Sequence, residues 1–529
     1  LLHRRSFLLS SALGALYPVF SSAGVLAPRL RFGPPAPFSF EALIGEARTL
    51  AARPYVPAAR LSDAIVDAID YEALGHVAYD PEFALFKNGP GRFPVTFFLP
   101  GKYARTPVRV HAVEGNPPTA REIVYAAAYF HMPADSPARK LPTGAGFAGF
   151  RVQESRLGGP RALDWRRNDW VAFQGASYFR AIGELYQYGL SARGVAIDTA
   201  VAGTPEEFPA FTRFYIEPSA DGADTITVHA LLEGPGVTGA YRFVLRRDEA
   251  VVMDVEANLF LRRDVERLGL APLTSMYWFS ESLKATGVDW RPEVHDSDGL
   301  ALWTGVGERI WRPLNDPRAI AVSAFADHAP RGFGLMQRDR NFDHYLDGVH
   351  YERRPSLWVE PREGWGEGTV QLIEIPTDDE INDNIVACWV PAARATAGSS
   401  YRLRYRLHWT AGEPFAPDVA QCVATRIGRG GQPGRPRPAH VVKFVVEFLG
   451  STLADLPYGV LPDVIVTTSS GSLSRAFAEA VPDGVAGHWR AMFDLAAPAT
   501  DPAELRLFLK AGDRTLTETW LYQYHPPVS

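Results

Sequence analysis

Cysteine is almost missing from this 529-residue chain; there are two, Cys388 and Cys422. Neither sits in a C-x-x-C pair or beside histidine at a metal-ligand spacing, which argues against a zinc knuckle or a disulfide-dense scaffold. Cys388 lies in the apolar run I-V-A-C-W-V, which predicts a buried free thiol. An excess of positive charge is missing too. Lysine and arginine number 54 against 60 aspartate and glutamate, a net charge of −6. With no basic stripe, nucleic acid is excluded as a partner. A long hydrophobic run is also lacking: the apolar stretch Phe7–Phe20 is too short for a comfortable membrane span. No internal repeat and no low-complexity tract occurs.

What the start does contain is Arg4-Arg5 ahead of that stretch, then the small residues Ser21, Ser22 and Ala23. The order fits a twin-arginine export signal over residues 1–27, cut after Ala23 or Ala27. An N-terminal anchor helix is the alternative. Folding before export would also disfavour a disulfide between the two cysteines.

The chain is too long for one core, so two or more domains are expected. Ser39 predicts a cap for a helix over Glu41–Arg53, stopped by Pro54. Ser62–Leu74 reads as a second short helix. From about residue 75 the pattern turns to strands, with alternation in T-I-T-V-H-A-L-L and V-V-M-D-V-E-A-N-L-F-L. Many short strands and few helices predict an all-β sandwich over residues 28–392. The small, polar stretch 391–400 marks a boundary. Beyond it, Tyr401, Leu403, Tyr405, Leu407 and Trp409 share one face, and Arg402, Arg404, Arg406 and His408 the other. Val441–Leu449 and Glu504–Lys510 repeat that style, so residues 401–529 read as an immunoglobulin-like sandwich.

Two segments set carboxylates in apolar surroundings. Val294-His295-Asp296-Ser297-Asp298 carries two at i and i+2, facing one side of extended chain. Mutual repulsion and His295 can shift their titration. A metal site at His295, Asp296 and Asp298 and a plain turn cap are the alternatives. Ile375 to Val386 forms an acidic loop with Asp378, Asp379, Glu380 and Asp383, leading into an apolar strand. Asp383 lies nearest that strand, where desolvation would suit a general acid; an ordinary solvated turn is the alternative. Phe173–Asp198 gathers Tyr178, Phe179, Tyr186, Tyr188, Arg180 and Arg193, either as a sugar-facing rim or as core aromatics with turn glycines. Trp278, Trp303, Trp358 and Trp365 divide between the same two readings.

The Phe173–Asp198 segment resembles the periplasmic glucan biosynthesis proteins G and D, which act on osmoregulated periplasmic glucans. So do G-F-A-G-F-R-V at Gly146–Val152, H-D-S-D at His295–Asp298, R-P-S-L-W-V-E-P at Arg354–Pro361 and E-T-W-L-Y-Q-Y at Glu518–Tyr524. They run in family order over nearly the whole mature chain. A twin-arginine signal fits the D branch. The resemblance implies a β-supersandwich similar to galactose mutarotase, followed by an immunoglobulin-like domain. It implies a periplasmic, metal-independent and cofactor-free inverting endo-β-1,2-glucanase. Asp383 falls on the family's general acid and Asp296 on its general base. Tyr351, Arg354 and Glu380 fall on substrate-contacting positions. The implied partners are β-1,2-glucan and the membrane glucan synthase, with room for a homodimer. One loop departs: Gly428–His440 has no Trp or Tyr, where some D relatives carry tryptophans that contact glucan. Two rival functions stay open. One is a non-catalytic glucan-binding scaffold assisting the synthase. The other is a sugar epimerase or mutarotase, suggested by fold analogy alone.

Overall fold

The computed structural model describes residues 29–158, 161, 163–219, 223–284, 287–496 and 501–526. The expected export signal over residues 1–27 lies outside them. The chain is 46% strand and 8% helix, an all-β sandwich fold. Among the described residues, no helix is long and apolar enough to cross a membrane. The chain divides into two compact units. One takes Leu1–Pro272, Pro361–Gly368 and Cys388–Trp409; the other takes Leu273–Glu360, Thr369–Ala387 and Thr410–Ser529.

In the first unit, four long strands at Ala210–Pro218, Thr225–Glu233, Val237–Arg247 and Val251–Leu261 form an antiparallel meander. A second sheet sets Gly149–Gln153, Asp169–Gln174, Tyr178–Ala181 and Ser191–Arg193 side by side. Aromatic rings lock the sheets face to face. Phe150 meets Phe214 at 5.0 Å, and Phe173 and Phe179 meet Phe243 at 5.3 and 5.1 Å. These edge-on contacts suit the quadrupoles of the rings. The segment Phe173–Asp198 is therefore largely core: Phe179 and Arg193 are buried, and Arg193 pairs with Glu206 at 2.9 Å. Gly149 explains one motif position. At φ +145° an added Cβ would lie 1.9 Å from the Phe173 carbonyl oxygen, so only glycine fits.

Ser39 caps the helix Phe40–Ala51, its Oγ accepting the Ala42 N–H at 3.1 Å. The helix buries Phe40, Leu43 and Ala47 against Val113, Tyr215, Leu231 and Ala240. The expected second helix is instead two short ones, Asp63–Val66 and Tyr71–Gly75. Ser62 makes no side-chain cap, while Asp70 accepts the Ala73 N–H at 3.0 Å and starts the chain afresh.

The strand Ser400–Thr410 does not open the C-terminal sandwich, as its place after the 391–400 boundary suggested. It pairs antiparallel with Val251–Leu261, from Phe260 opposite Ser400 to Val251 opposite Trp409. Charge selects that neighbour. Arg406 forks onto Asp254 at 2.7 and 2.9 Å, and Arg402 and Arg404 reach Glu256 at 3.3 and 3.4 Å. Opposite charges on facing strands favour this pairing, while Leu403, Tyr405, Leu407 and Trp409 go inward.

In the second unit, Gln421–Arg429, Val441–Leu449, His488–Ala496 and Ser472–Ala480 form one sheet. Asp463–Thr468, Ala503–Ala511 and Thr519–Tyr524 form the facing layer. Phe444 stacks on Phe493 at 5.0 Å, and Trp520 donates its indole N–H to Thr425 at 2.9 Å. Thr519–Tyr524 continues in parallel beside Arg309–Pro313, which pairs with Gly299–Trp303 and so with Gly332–Met336. These strands carry the segments that build the candidate site.

Candidate active site

The short strand Val294–His295 pairs with Tyr277–Phe279, placing Tyr277 opposite His295. One residue on, the Asp296 N–H donates to the Met276 carbonyl at 2.8 Å. Asn384 clamps the same strand from another direction. Its Oδ1 accepts the Tyr277 N–H at 2.9 Å, and its Nδ2 donates to the Tyr277 and Ile375 carbonyls at 2.8 and 2.9 Å. Asp383, immediately before Asn384, is thus carried to the segment that holds Asp296. It is half-buried, ahead of the buried Ile385 and Val386.

Asp296 is fully buried, and Arg354 donates from Nη1 to its Oδ1 at 2.5 Å. The guanidinium also lies over the Tyr351 ring, 4.4 Å from its centroid, a cation–π contact. Burial pushes the Arg354 pKa below its usual range, against the opposing influence of Tyr351, Glu380, Asp347 and Asp383. Tyr351 donates its hydroxyl to Glu380 Oε2 at 2.6 Å. The same oxygen accepts Nη1 of Arg291 at 2.5 Å. Asp296, Arg354, Tyr351 and Glu380 therefore form one chain of contacts, with Asp383 on the Glu380 loop.

Arg354 is sealed from water. Its Nη1 donates to Asp296, its exposure is 1%, and its buried Nε has no partner among the described residues. The sequence neighbours of Asp296 bond elsewhere. His295 turns away, with Nδ1 on Gln337 and Nε2 on Glu293, both at 2.9 Å. Ser297 shares a hydrogen bond with Ser275 at 2.8 Å. Asp298 Oδ2 accepts the N–H groups of Arg338 and Asp339, both at 2.8 Å. The metal alternative at His295, Asp296 and Asp298 gains no support. The group of ligand-type atoms found close together among the described residues is Glu293, Asp339 and His344. Two of its members are already engaged with each other, His344 with Asp339 at 2.5 Å.

Sequence reasoning missed Arg291. It is buried, and its fork closes on Asp289 at 2.8 and 3.0 Å while Nη1 also reaches Asp347 at 2.6 Å. Burial opposes its charge, but its hydrogen bonds to Asp289, Glu380 and Asp347 outweigh it and raise its pKa. The only local signal was the i, i+2 pair Asp289 and Arg291. Trp358 and Trp365 are core residues, while Trp278 and Trp303 are half-buried.

Residues 38–524 match the family described as "Periplasmic glucan biosynthesis protein, MdoG". The chain is similar to glucans biosynthesis protein D 2 of Ralstonia nicotianae, at 61% identity over 99% of this chain and 98% of the relative. It is 47% identical to glucans biosynthesis protein D of Stenotrophomonas maltophilia, over 94% of this chain and 91% of the relative. With the same-named protein of Xanthomonas campestris pv. campestris the figures are 44%, 99% and 98%. A match of this extent covers both units, the Asp296–Arg354 pair and the Glu380–Asp383 loop, and the chain belongs to the periplasmic glucan biosynthesis protein family.

Proposed function

We propose that this chain is a periplasmic, inverting endo-β-1,2-glucanase that sets backbone length during periplasmic glucan biosynthesis. The part in glucan biosynthesis rests on the family match and on the names of the relatives. The chemistry is our reading of one observation: a single buried guanidinium, Arg354, is bonded to Asp296 and feels the charge of Asp383. Export rests on Arg4-Arg5, and replacing both with lysine should leave the protein in the cytoplasm.

In this reading Asp383 protonates the glycosidic oxygen as its bond to the anomeric carbon breaks. Water attacks that carbon from the opposite face and passes its proton towards Asp296. Inversion needs room for the water, so the carboxyl groups of such enzymes stand about 6.5–9.5 Å apart. An ionic hydrogen bond to Arg354 suits a carboxylate, the form a base requires. Asp296 has no exposed surface, so the proton reaches it through a relayed water or sugar hydroxyl. Glu380 and Tyr351 offer an acceptor and a hydroxyl to the neighbouring sugar ring.

The same sealed Asp296 favours a second reading, a glucan-binding scaffold for the membrane glucan synthase. Incubation with linear β-1,2-glucan separates them. Shortened chains whose new reducing ends first appear as the α-anomer support the glucanase. Glucan that is bound but left intact supports the scaffold.

A further inference from the structure

The chain has twelve tryptophans, and the structure buries or half-buries all but one of them. Eight are buried and three half-buried, while Trp290 is 69% exposed. Its near neighbour Val288 is 92% exposed. A single exposed apolar side chain is ordinary. This one differs in how firmly it is held.

The turn that carries Trp290 is braced on both sides. The Arg291 N–H and Nε both donate to Asp289 Oδ1 at 2.8 Å, and Nη2 donates to Oδ2 at 3.0 Å. Lys284 Nζ donates to the carbonyls of Asp289 and Arg291 at 3.1 and 2.5 Å. The Arg291 guanidinium lies 5.7 Å from the centroid of the Trp290 ring. That same guanidinium bonds Glu380, and through it the Tyr351 hydroxyl. A rigid turn thus presents a large aromatic to water, one residue from the group that ties the Glu380 loop in place.

We propose that Trp290 is an outer binding platform for one glucosyl unit of the glucan, taking the apolar C–H face of a pyranose on its indole. The identity of the sugar rests on the function proposed above. Three physical points support the assignment. An indole gives broad contact with few rotamers to freeze, and it is enriched at binding hot spots. Bracing by Asp289, Lys284 and Arg291 has already met the ordering cost, so contact with a sugar need not supply it. Arg291 couples the platform to Glu380, so a chain lying on Trp290 runs on to the residues read as sugar contacts.

The test is calorimetric binding of linear β-1,2-glucans of graded length to the Asp383→Asn protein and to its Trp290→Ala and Trp290→Phe derivatives. The same Trp290 changes in the otherwise native protein give KM and kcat. Trp290→Ala should weaken binding of long chains about tenfold, as expected for loss of one aromatic contact. It should raise KM more than it lowers kcat, and affect the shortest chains least. Trp290→Phe should recover most of the loss. Tyr458→Ala, at an exposed tyrosine on the C-terminal sandwich, should change nothing. If the native protein leaves glucan intact but Trp290→Ala still weakens its binding, the glucanase reading falls and the platform stands. If hydrolysis is intact and Trp290→Ala handles all lengths like its parent, the platform is overturned. If the native protein binds no glucan, both fall.

Discussion

Arg354 and Asp296 lie 58 positions apart in the chain and meet at 2.5 Å with both side chains sealed from water. A buried charge pair of this kind is unforgiving: loss of one member strands the other in a low-dielectric interior. Arg354→Ala should cost about 3–5 kcal/mol of stability, the range for breaking such a pair. Urea unfolding checks this. Asp296→Asn combined with Arg354→Gln should recover part of the loss, and full additivity of the two changes would show that the pair is not coupled.

Asp383 is half-buried on a loop, so Asp383→Asn should fold normally. Under the proposed mechanism it loses about 10²–10⁴-fold of hydrolysis, the usual worth of a general acid. Release of reducing ends from β-1,2-glucan measures it. Native-like turnover by this variant removes Asp383 from the reaction.

Asp298 offers a contrast. Its carboxylate holds the backbone N–H groups of Arg338 and Asp339. Asp298→Asn should therefore lower the unfolding midpoint more than it lowers kcat. A collapse of kcat at unchanged stability would give Asp298 a direct part instead.

Stability in the second unit should fall as pH rises. Burial, and then the charge of Glu293, push the Glu281 carboxyl up to about 7 from the ordinary 4.5. The unfolded chain releases that proton near 4.5, the folded chain only near 7. The contribution is whole below the lower value and is lost on approach to the upper one. His295 acts in the same direction. Burial opposes its charge, but its bond to Glu293 outweighs this and raises its pKa above 6.5. Its share is whole below about 6.5 and is lost as pH climbs through the raised value. Unfolding midpoints from pH 4 to 8 should show a steeper decline in the native protein than in Glu281→Gln. Parallel curves would contradict this.

Neither thiol should react in the native protein. Both cysteines are buried and free, and burial pushes the Cys388 thiol up to about 12. Two equivalents should be titrated by an aromatic disulfide reagent only after denaturation. Rapid labelling of either in native buffer would show that its surroundings open.

What the sequence made legible was local. The Ser39 cap, the alternation of Val441–Leu449 and the buried thiol at Cys388 each follow from a few adjacent residues. The family resemblance also marked Asp296, Tyr351, Arg354 and Glu380, which the structure joins in one network. Partnerships were not legible. Tyr401–Trp409 reads correctly as a strand, but its neighbour is chosen by Asp254 and Glu256, about 150 positions earlier. His295, Ser297 and Asp298 adjoin Asp296 in the sequence. In the folded chain they point elsewhere, and the partner comes from Arg354. Arg291 gave almost no sign, since its significance lies in Asp347 and Glu380, which are remote in sequence.

The pairing of Ser400–Thr410 with Val251–Leu261 sets an order on synthesis. A ribosome that has made the first 272 residues has not yet made the strand that covers Val251–Leu261, or the buried Trp409. Until about three-quarters of the chain has emerged, that edge offers unpaired N–H and C=O groups and an acidic row at Asp254 and Glu256. Exposed edges of this sort invite wrong partners. The first unit begins first and closes late, and the long span between its pieces is a kinetic hazard that the charges on Arg402, Arg404 and Arg406 help to resolve in favour of the right strand.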